Sequence, residues 1–415
     1  MAFQASWYES ANRAETDFPL ANLPCGVFST ASSDEARCGV AIGDGIIDMA
    51  RLDAGGFLEG TGAKGAFDKP SWNALMARGP GVWRAMRTRL TELFAEGASQ
   101  REALAPLIAP MTDARLHLPC DIGEFTDFYA SRFHATAVGT LLRGAENALM
   151  PNWVHMPIAY NGRASTVIVS GTDVRRPWGQ LRGEQGPRLA PTESLDFELE
   201  LGVIVGQPIA GPCTADEVRE KIFGYLLLND WSARDIQAWE YQPLGPFQGK
   251  AFATSVSPWI VMREALSGAH APAPERDTAL FPYLHETQPE FHDIRLQAEL
   301  TTQAGRSTVV TDTNARHLYY SPAQQLAHHA LSGCRMRVGD LLGSGTVSGP
   351  SPDSAGCLME RTSNGAKPLR IGAEERRFLM DGDRVTLSGH CVVDGGRIGF
   401  GVCSAEILPA VEWSI

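Results

Sequence analysis

Residues 194–206 read SLDFELELGVIVG, and the period of that run decides the fold. Leu195, Phe197, Leu199 and Leu201 alternate with Asp196, Glu198 and Glu200. This two-residue repeat is that of a strand, whose successive side chains point to opposite faces. Segments of the same kind recur on both sides: STVIVSG (165–171), SPWIVM (257–262), DIRLQAELTT (293–302), DRVTLSGHCVV (383–393) and RIGFGVCSAEIL (397–408). They are β-branched or alternate in period two. The 42 glycines and 26 prolines suit the many turns such strands need.

Helices are fewer. SWNALMARG and VWRAMRTRLTELFAEG predict helix over 71–97, closed by Gly97. The pair Thr214 and Glu217 forms a capping-box signature, which predicts a helix from Thr214 to Phe223. Ser321–Pro322 opens another that closes near Gly333, and Phe128 to Leu142 also reads as helix. Short, Gly-rich strand pieces such as CGVAIGDGIIDM (38–49) precede all of these. A Pro/Gly-punctuated stretch, LHLPCDIGEF (116–125), marks the expected boundary between a small first domain, 1–118, and a large, mostly β domain, 119–415. The expected class is mainly β, α+β.

Composition excludes several functions. With 36 basic and 48 acidic residues among 415, the net charge of −12 argues against a general nucleic-acid binder, which needs a basic face. No apolar run approaches the ~18 residues of a membrane span. The first residues lack a basic region followed by an apolar one, so no secretory signal is expected. The eight cysteines show neither CxxC nor zinc spacing and are expected as reduced core residues. The expectation is a cytoplasmic protein, without a membrane or nucleic-acid partner.

Three acidic segments carry the candidate chemistry. The acidic side of 194–201 either faces water, the default for a half-buried strand, or points Glu198 and Glu200 together at a hard cation. Asp230 ends the apolar run LLLND, where it is either a turn or cap acid or a further ligand. Asp127 in TDFY reads either as an acid at a helix N-terminus or as a third ligand source. If Ser232 caps a short helix, Arg234, Gln237 and Tyr241 share one face directly after Asp230. Lys250 is the lone charge in an apolar, turn-rich run. His134 stands seven residues after Asp127, hence on the same face of a helix, and histidine suits general-base work near neutral pH. His155, His328 and His329 have no acidic partner at helical spacing and read as structural. The stretch GSGTVSGP (343–350) lacks the Lys-Ser/Thr of a phosphate loop and reads as a tight turn whose backbone passes close to something.

At these same residues the chain resembles the fumarylacetoacetate hydrolase family. The matching runs are TDFYASRFHATAVG, ENALMPNWVHMPIAYNGRASTVIVSGT, LDFELELG, LLLNDWSARDIQAWEYQPLGPFQGKAFATSVSPW, GDLLGSGTVSGP and FLMDGDRVTLSGHC. The likeness runs through nearly the whole chain and is weakest over 1–115. It implies a small SH3-like N-terminal domain, then a large mixed β-roll domain, in a homodimer. It implies hydrolysis of a β-diketone C–C bond, ending tyrosine and phenylalanine breakdown, with Mg²⁺ or Ca²⁺ as cofactor. By resemblance, Asp127, Glu198, Glu200 and Asp230 hold the cation, with Lys250 and Thr254 beside it. His134 is the base, and Glu360 in CLMERTS the acid that orients it. Arg234, Gln237 and Lys250 stabilise the oxyanion. Tyr129, Arg143, Tyr160, Gln237, Tyr241 and Thr346 contact an anionic substrate. Ala253 stands where the family pattern has glycine before Thr254, and Glu124-Phe125 departs from the usual acid–aromatic pair. Acylpyruvate or other β-diketone hydrolysis is the alternative. A noncatalytic, metal-stabilised binding protein is the distant one.

Overall fold

A computed structural model describes residues 4–394 and 396–413. Residues 25–117 build a five-stranded antiparallel sheet in the order 108–110, 45–48, 33–42, 25–30, 114–117. The helix Pro80–Phe94 packs beside it with proline at its start, where a missing N–H costs nothing. From Phe125 on, the chain makes a mixed eight-stranded sheet and a separate five-stranded sheet built on the long hairpin Arg384–Val393 and Gly396–Leu408. The architecture is mainly β with short helices.

The central strands Leu199–Val205 and Ile222–Asp230 pair antiparallel and are buried along their whole length. Burial on both faces explains why they read as continuous apolar runs. Leu201, Val203, Tyr225 and Leu227 enter the core shared with Leu296, Leu300, Val385 and Phe400. Their alternate neighbours Ile204, Leu226 and Leu228 pack with Trp72, Trp83 and Met86 of the N-terminal region. One sheet therefore supplies both cores, which fixes its register firmly, since a one-residue slip would exchange every side chain between them.

Several expected elements are corrected. The region 71–97 forms two helices, Asn73–Met76 and Pro80–Phe94, parted by Gly79 at φ 90°, and the second stops before Gly97. The Thr214–Glu217 capping box is present, but its helix covers only Ala215–Arg219, because Ile222 onward joins the central sheet. Phe125–Phe128 is a strand, and the following helix is Arg132–Arg143, capped by Ser131. Asp127 and His134 therefore lie on different elements. Ser232 caps no helix: Ser232–Ala233 pairs with Leu195–Asp196, and the helix Arg234–Glu240 follows. All eight cysteines are free, and no helix among the described residues is long and apolar enough to cross a membrane.

Candidate active site

The strand that opened the sequence reading is interrupted where it matters. Pairing runs over Leu195–Asp196 and resumes at Leu199. In the gap the Asn229 side chain accepts from the Glu198 amide at 3.0 Å, and the Phe197 amide turns to Asp196 Oδ1 at 2.9 Å. Asp196 is not one of the clustered acids: it accepts from Arg234 Nε at 2.9 Å and from the Leu358 and Met359 amides. Glu198 and Glu200 are buried, so the acidic side does not face water.

Those two glutamates meet Asp127 and Asp230. One oxygen from each of the four buried carboxylates lies within 4.8 Å of the others. Three strands of one sheet and the gap beside one of them deliver the four acids. Asp127 comes from Phe125–Phe128, Glu200 from Leu199–Val205, Asp230 from the end of Ile222–Asp230, and Glu198 from just before its strand. The turn after Leu341–Gly343 closes on them. The Gly345 amide, at φ 75°, donates to Glu200 Oε2 at 3.0 Å and Asp127 Oδ1 at 3.2 Å. A Cβ on Gly343 would stand 2.5 Å from Asp127 Oδ1. Within GSGTVSGP it is the Gly345 amide that meets the carboxylates, while the Ser344 and Val347 amides pair with the Leu201 and Leu199 carbonyls.

The electrostatics call for a cation. Burial, then the neighbouring Asp230, pushes the Asp127 carboxyl well above its usual range; burial, then Asp127, does the same to Glu200. Burial would also raise Glu198, but Lys250, Arg234 and His134 outweigh it and hold that carboxyl low. Lys250 Nζ bonds Glu198 and lies 2.8 Å from Asp230 Oδ2, and these acids keep its ammonium charged despite burial. A charged ammonium has no lone pair to offer a cation, so Lys250 serves as a counter-charge to the acids. Thr254 Oγ1 donates to Asp230 Oδ1 at 2.9 Å, and Tyr160 OH to Asp230 Oδ2 at 2.7 Å. Glu200 Oε1 is buried with no partner. An all-oxygen donor set with an orphaned carboxylate oxygen fits a hard divalent cation. Ala253 packs into the apolar core.

His134 lies in the first turn of Arg132–Arg143, and its Nδ1 is 2.5 Å from Glu360 Oε1. Its Nε2 is 4.0 Å from Glu198 Oε1, on the side of the carboxylates. Burial would raise Glu360, but His134 and then the Ser348 and Cys357 side chains bring it below the usual carboxylate range. Arg234 Nη1 is 2.8 Å from Glu198 Oε1 and 3.3 Å from Gln237 Oε1, and its Nη2 is buried without a partner. A cavity of about 550 Å³ joins these groups. Asp127, Glu198, His134, Arg234, Gln237 and Lys250 line it together with Tyr129, Arg143, Tyr160, Tyr241 and Thr346. Glu200, Asp230, Thr254 and Glu360 stand behind its wall. The Tyr129 ring meets His134 edge-on at 5.2 Å. Arg143 is anchored by backbone carbonyls of Asn147 and Ala148, at 3.1 and 2.8 Å.

Sequence reasoning missed Asn229, Ser348 and the true place of Asp196. Their roles are hydrogen bonds across the fold, and no spacing announces them. His328 bonds Tyr283 OH and His329 bonds Thr126 Oγ1, both at 2.8 Å, outside the carboxylate cluster.

Two family models divide this chain between them: "Fumarylacetoacetase N-terminal" matches residues 21–119, and "Fumarylacetoacetate (FAA) hydrolase C-terminal" matches 124–407. The chain belongs to the fumarylacetoacetate hydrolase family. It is 44% identical over 413 residues to fumarylacetoacetase of Bos taurus, covering 96% of this chain and 98% of the other. It is 45% identical over 408 residues to fumarylacetoacetase of Caenorhabditis elegans, covering 95% and 97%. The solved fumarylacetoacetate hydrolase of Exiguobacterium antarcticum superposes with a TM-score of 0.55 at 16% identity, over 93% of this chain and 99% of that one. At that identity the likeness concerns the family fold.

Proposed function

We propose that this chain hydrolyses the C–C bond of 4-fumarylacetoacetate to fumarate and acetoacetate, the last step of tyrosine and phenylalanine degradation. In this reading it works in the cytoplasm as a homodimer, with Mg²⁺ or Ca²⁺, and its residues 1–118 and 119–415 are the SH3-like and catalytic units. The observation that carries the reading is the buried His134–Glu360 pair opening onto the same cavity as the four-carboxylate cluster. Identity of 44% to a fumarylacetoacetase over nearly the full length supports the choice of substrate.

A divalent cation held by Asp127, Glu198, Glu200 and Asp230 would supply Lewis acidity toward the β-diketone oxygens. His134 Nε2 takes the proton of the attacking water. As the tetrahedral carbon re-forms its carbonyl and the C–C bond breaks, the imidazolium returns that proton to the departing acetoacetate carbon. Glu360 holds the Nδ1–H, so the free lone pair sits on Nε2 and the imidazolium that forms meets a negative charge. Arg234, Gln237 and Lys250 donate to the oxygen that becomes negative as water adds; one such donor is typically worth ~10²–10³ in turnover. The unpartnered Arg234 Nη2 supports that assignment. Arg143, Tyr129, Tyr241 and Thr346 hold the terminal carboxylates of the substrate, beside Tyr160, whose hydroxyl proton goes to Asp230. Thr346 Oγ1 is buried and without a partner, a hydroxyl free for such a contact.

The test is product analysis with 4-fumarylacetoacetate and, in parallel, acylpyruvates. Stoichiometric fumarate and acetoacetate from the first, with slower turnover of the second, is the expected result. Preference for acylpyruvates moves the chain to another substrate of the same fold.

A further inference from the structure

The turn GSGTVSGP has a member that the proposed chemistry does not use. Ser348 is buried, 1% exposed, three residues after Gly345, whose amide meets the carboxylates. Its hydroxyl donates to Glu360 Oε1 at 2.8 Å and accepts from the Gly356 amide at 3.0 Å, so its single proton is committed to the glutamate. Its backbone faces the other half of the dyad. Ser131 Oγ donates to the Ser348 carbonyl at 3.2 Å, and Ser131 is the cap of the helix that carries His134.

We infer that Ser348 is a positioning residue for the His134–Glu360 pair. Without such a donor the end of a glutamate side chain is weakly held. Rotation about its terminal torsion is soft. Oε1 receives three contacts: His134 Nδ1 at 2.5 Å, Ser348 Oγ at 2.8 Å and Cys357 Sγ at 3.3 Å. A thiol is a weak donor, so Ser348 is the strong donor that keeps Oε1 on the imidazole when the proton moves. Because its backbone also ties to Ser131, Ser348 sets both partners in one frame. The residue acts through Glu360 and does not touch the substrate. Its role in turnover rests on the function proposed above.

The experiment uses the full chain with and without Mg²⁺. In histidine-¹⁵N-labelled protein the Nδ1–H of His134 should give a downfield proton resonance, read without any substrate. Ser348→Ala should move that resonance upfield or broaden it away, and Ser348→Thr, which keeps the hydroxyl, should restore it. In turnover of 4-fumarylacetoacetate, Ser348→Ala should lower kcat about 10- to 100-fold, part of the whole general-base effect, with KM within about twofold. In a Glu360→Gln background the same change should cost no more than about twofold further, since coupled residues are not additive. Ser348→Cys, of similar size but a weaker donor, gives the same readings if the alanine variant does not fold. An unchanged resonance with kcat within twofold of the parent overturns the inference, as does full additivity with Glu360→Gln. If the parent protein does not turn over 4-fumarylacetoacetate, the functional reading fails, and the resonance alone still decides the role of Ser348.

Discussion

His134 owes its suitability as a base to the difference between its two nitrogens. One is committed to Glu360 at 2.5 Å, and the other opens toward the carboxylate cluster, 4.0 Å from Glu198. His134 is not one of the four clustered acids, so its loss separates chemistry from cation binding. His134→Ala should lower turnover by about 10²–10⁴-fold, the span of a general base, while calorimetric binding of Mg²⁺ or Ca²⁺ persists. Loss of both together would place the residue in the cation site instead. At this scale the sequence was partly legible. The acids stood out because charges inside apolar runs are costly unless they meet a partner. Glu360 did not stand out, being 226 positions from His134 and one acid among ordinary neighbours; only the resemblance pointed to it. Asn229 and Ser348 are neutral, and nothing local marks the bonds they make.

Among the elements, the short strand Leu341–Gly343 governs the spacing of the acids. It lies between Phe125–Phe128, parallel, and Leu199–Val205, antiparallel, so Gly343 pairs with Asp127 on one side and Gly202 on the other, with the Asp127 and Glu200 carboxylates over it. Gly343→Ala would put a methyl group 2.5 Å from Asp127 Oδ1 and 2.7 Å from Glu200 Oε2. We expect cation affinity to fall at least about tenfold, roughly 1.4 kcal/mol, with the fold retained by circular dichroism. A second element carries a pH dependence. Glu286 accepts from Ser321 Oγ at 2.8 Å, the cap of the helix Pro322–Ala330, and burial raises its carboxyl from 4.5 to about 7. The fold prefers the neutral form. Its contribution is therefore complete below about pH 4.5 and is lost as pH rises toward 7. Glu286→Gln stays neutral, so its denaturation stability relative to the parent should rise between pH 5 and 8, on the order of 2 kcal/mol. A constant difference would contradict this. Caps such as Thr214–Glu217 and Ser321–Pro322 were legible because they are local. The extents of the helices after Thr214 and Ser232 were not, since sheet pairing claims Ile222 and Ser232.

Across the whole molecule, the site is what the two-sided sheet makes possible. Apolar residues on both faces of Leu199–Val205 and Ile222–Asp230 anchor them in two cores, and their ends hold acids that would repel one another in isolation. The apolar runs and their alternation disclosed the strands, but strand order is non-local, so the residues alone left convergence of the four acids as one of two readings, and likeness to known proteins chose it. An acidic chain can still take an anionic substrate, because Arg143, Arg234 and Lys250 line the cavity locally. The most direct measurement is an anomalous difference map from a crystal soaked in Mn²⁺, which takes the same oxygen ligands as Mg²⁺ and Ca²⁺. One strong peak bounded by Asp127, Glu198, Glu200 and Asp230, with His134 at its edge, is the expected result. A map with no peak there, or with the manganese held by other residues, would contradict it.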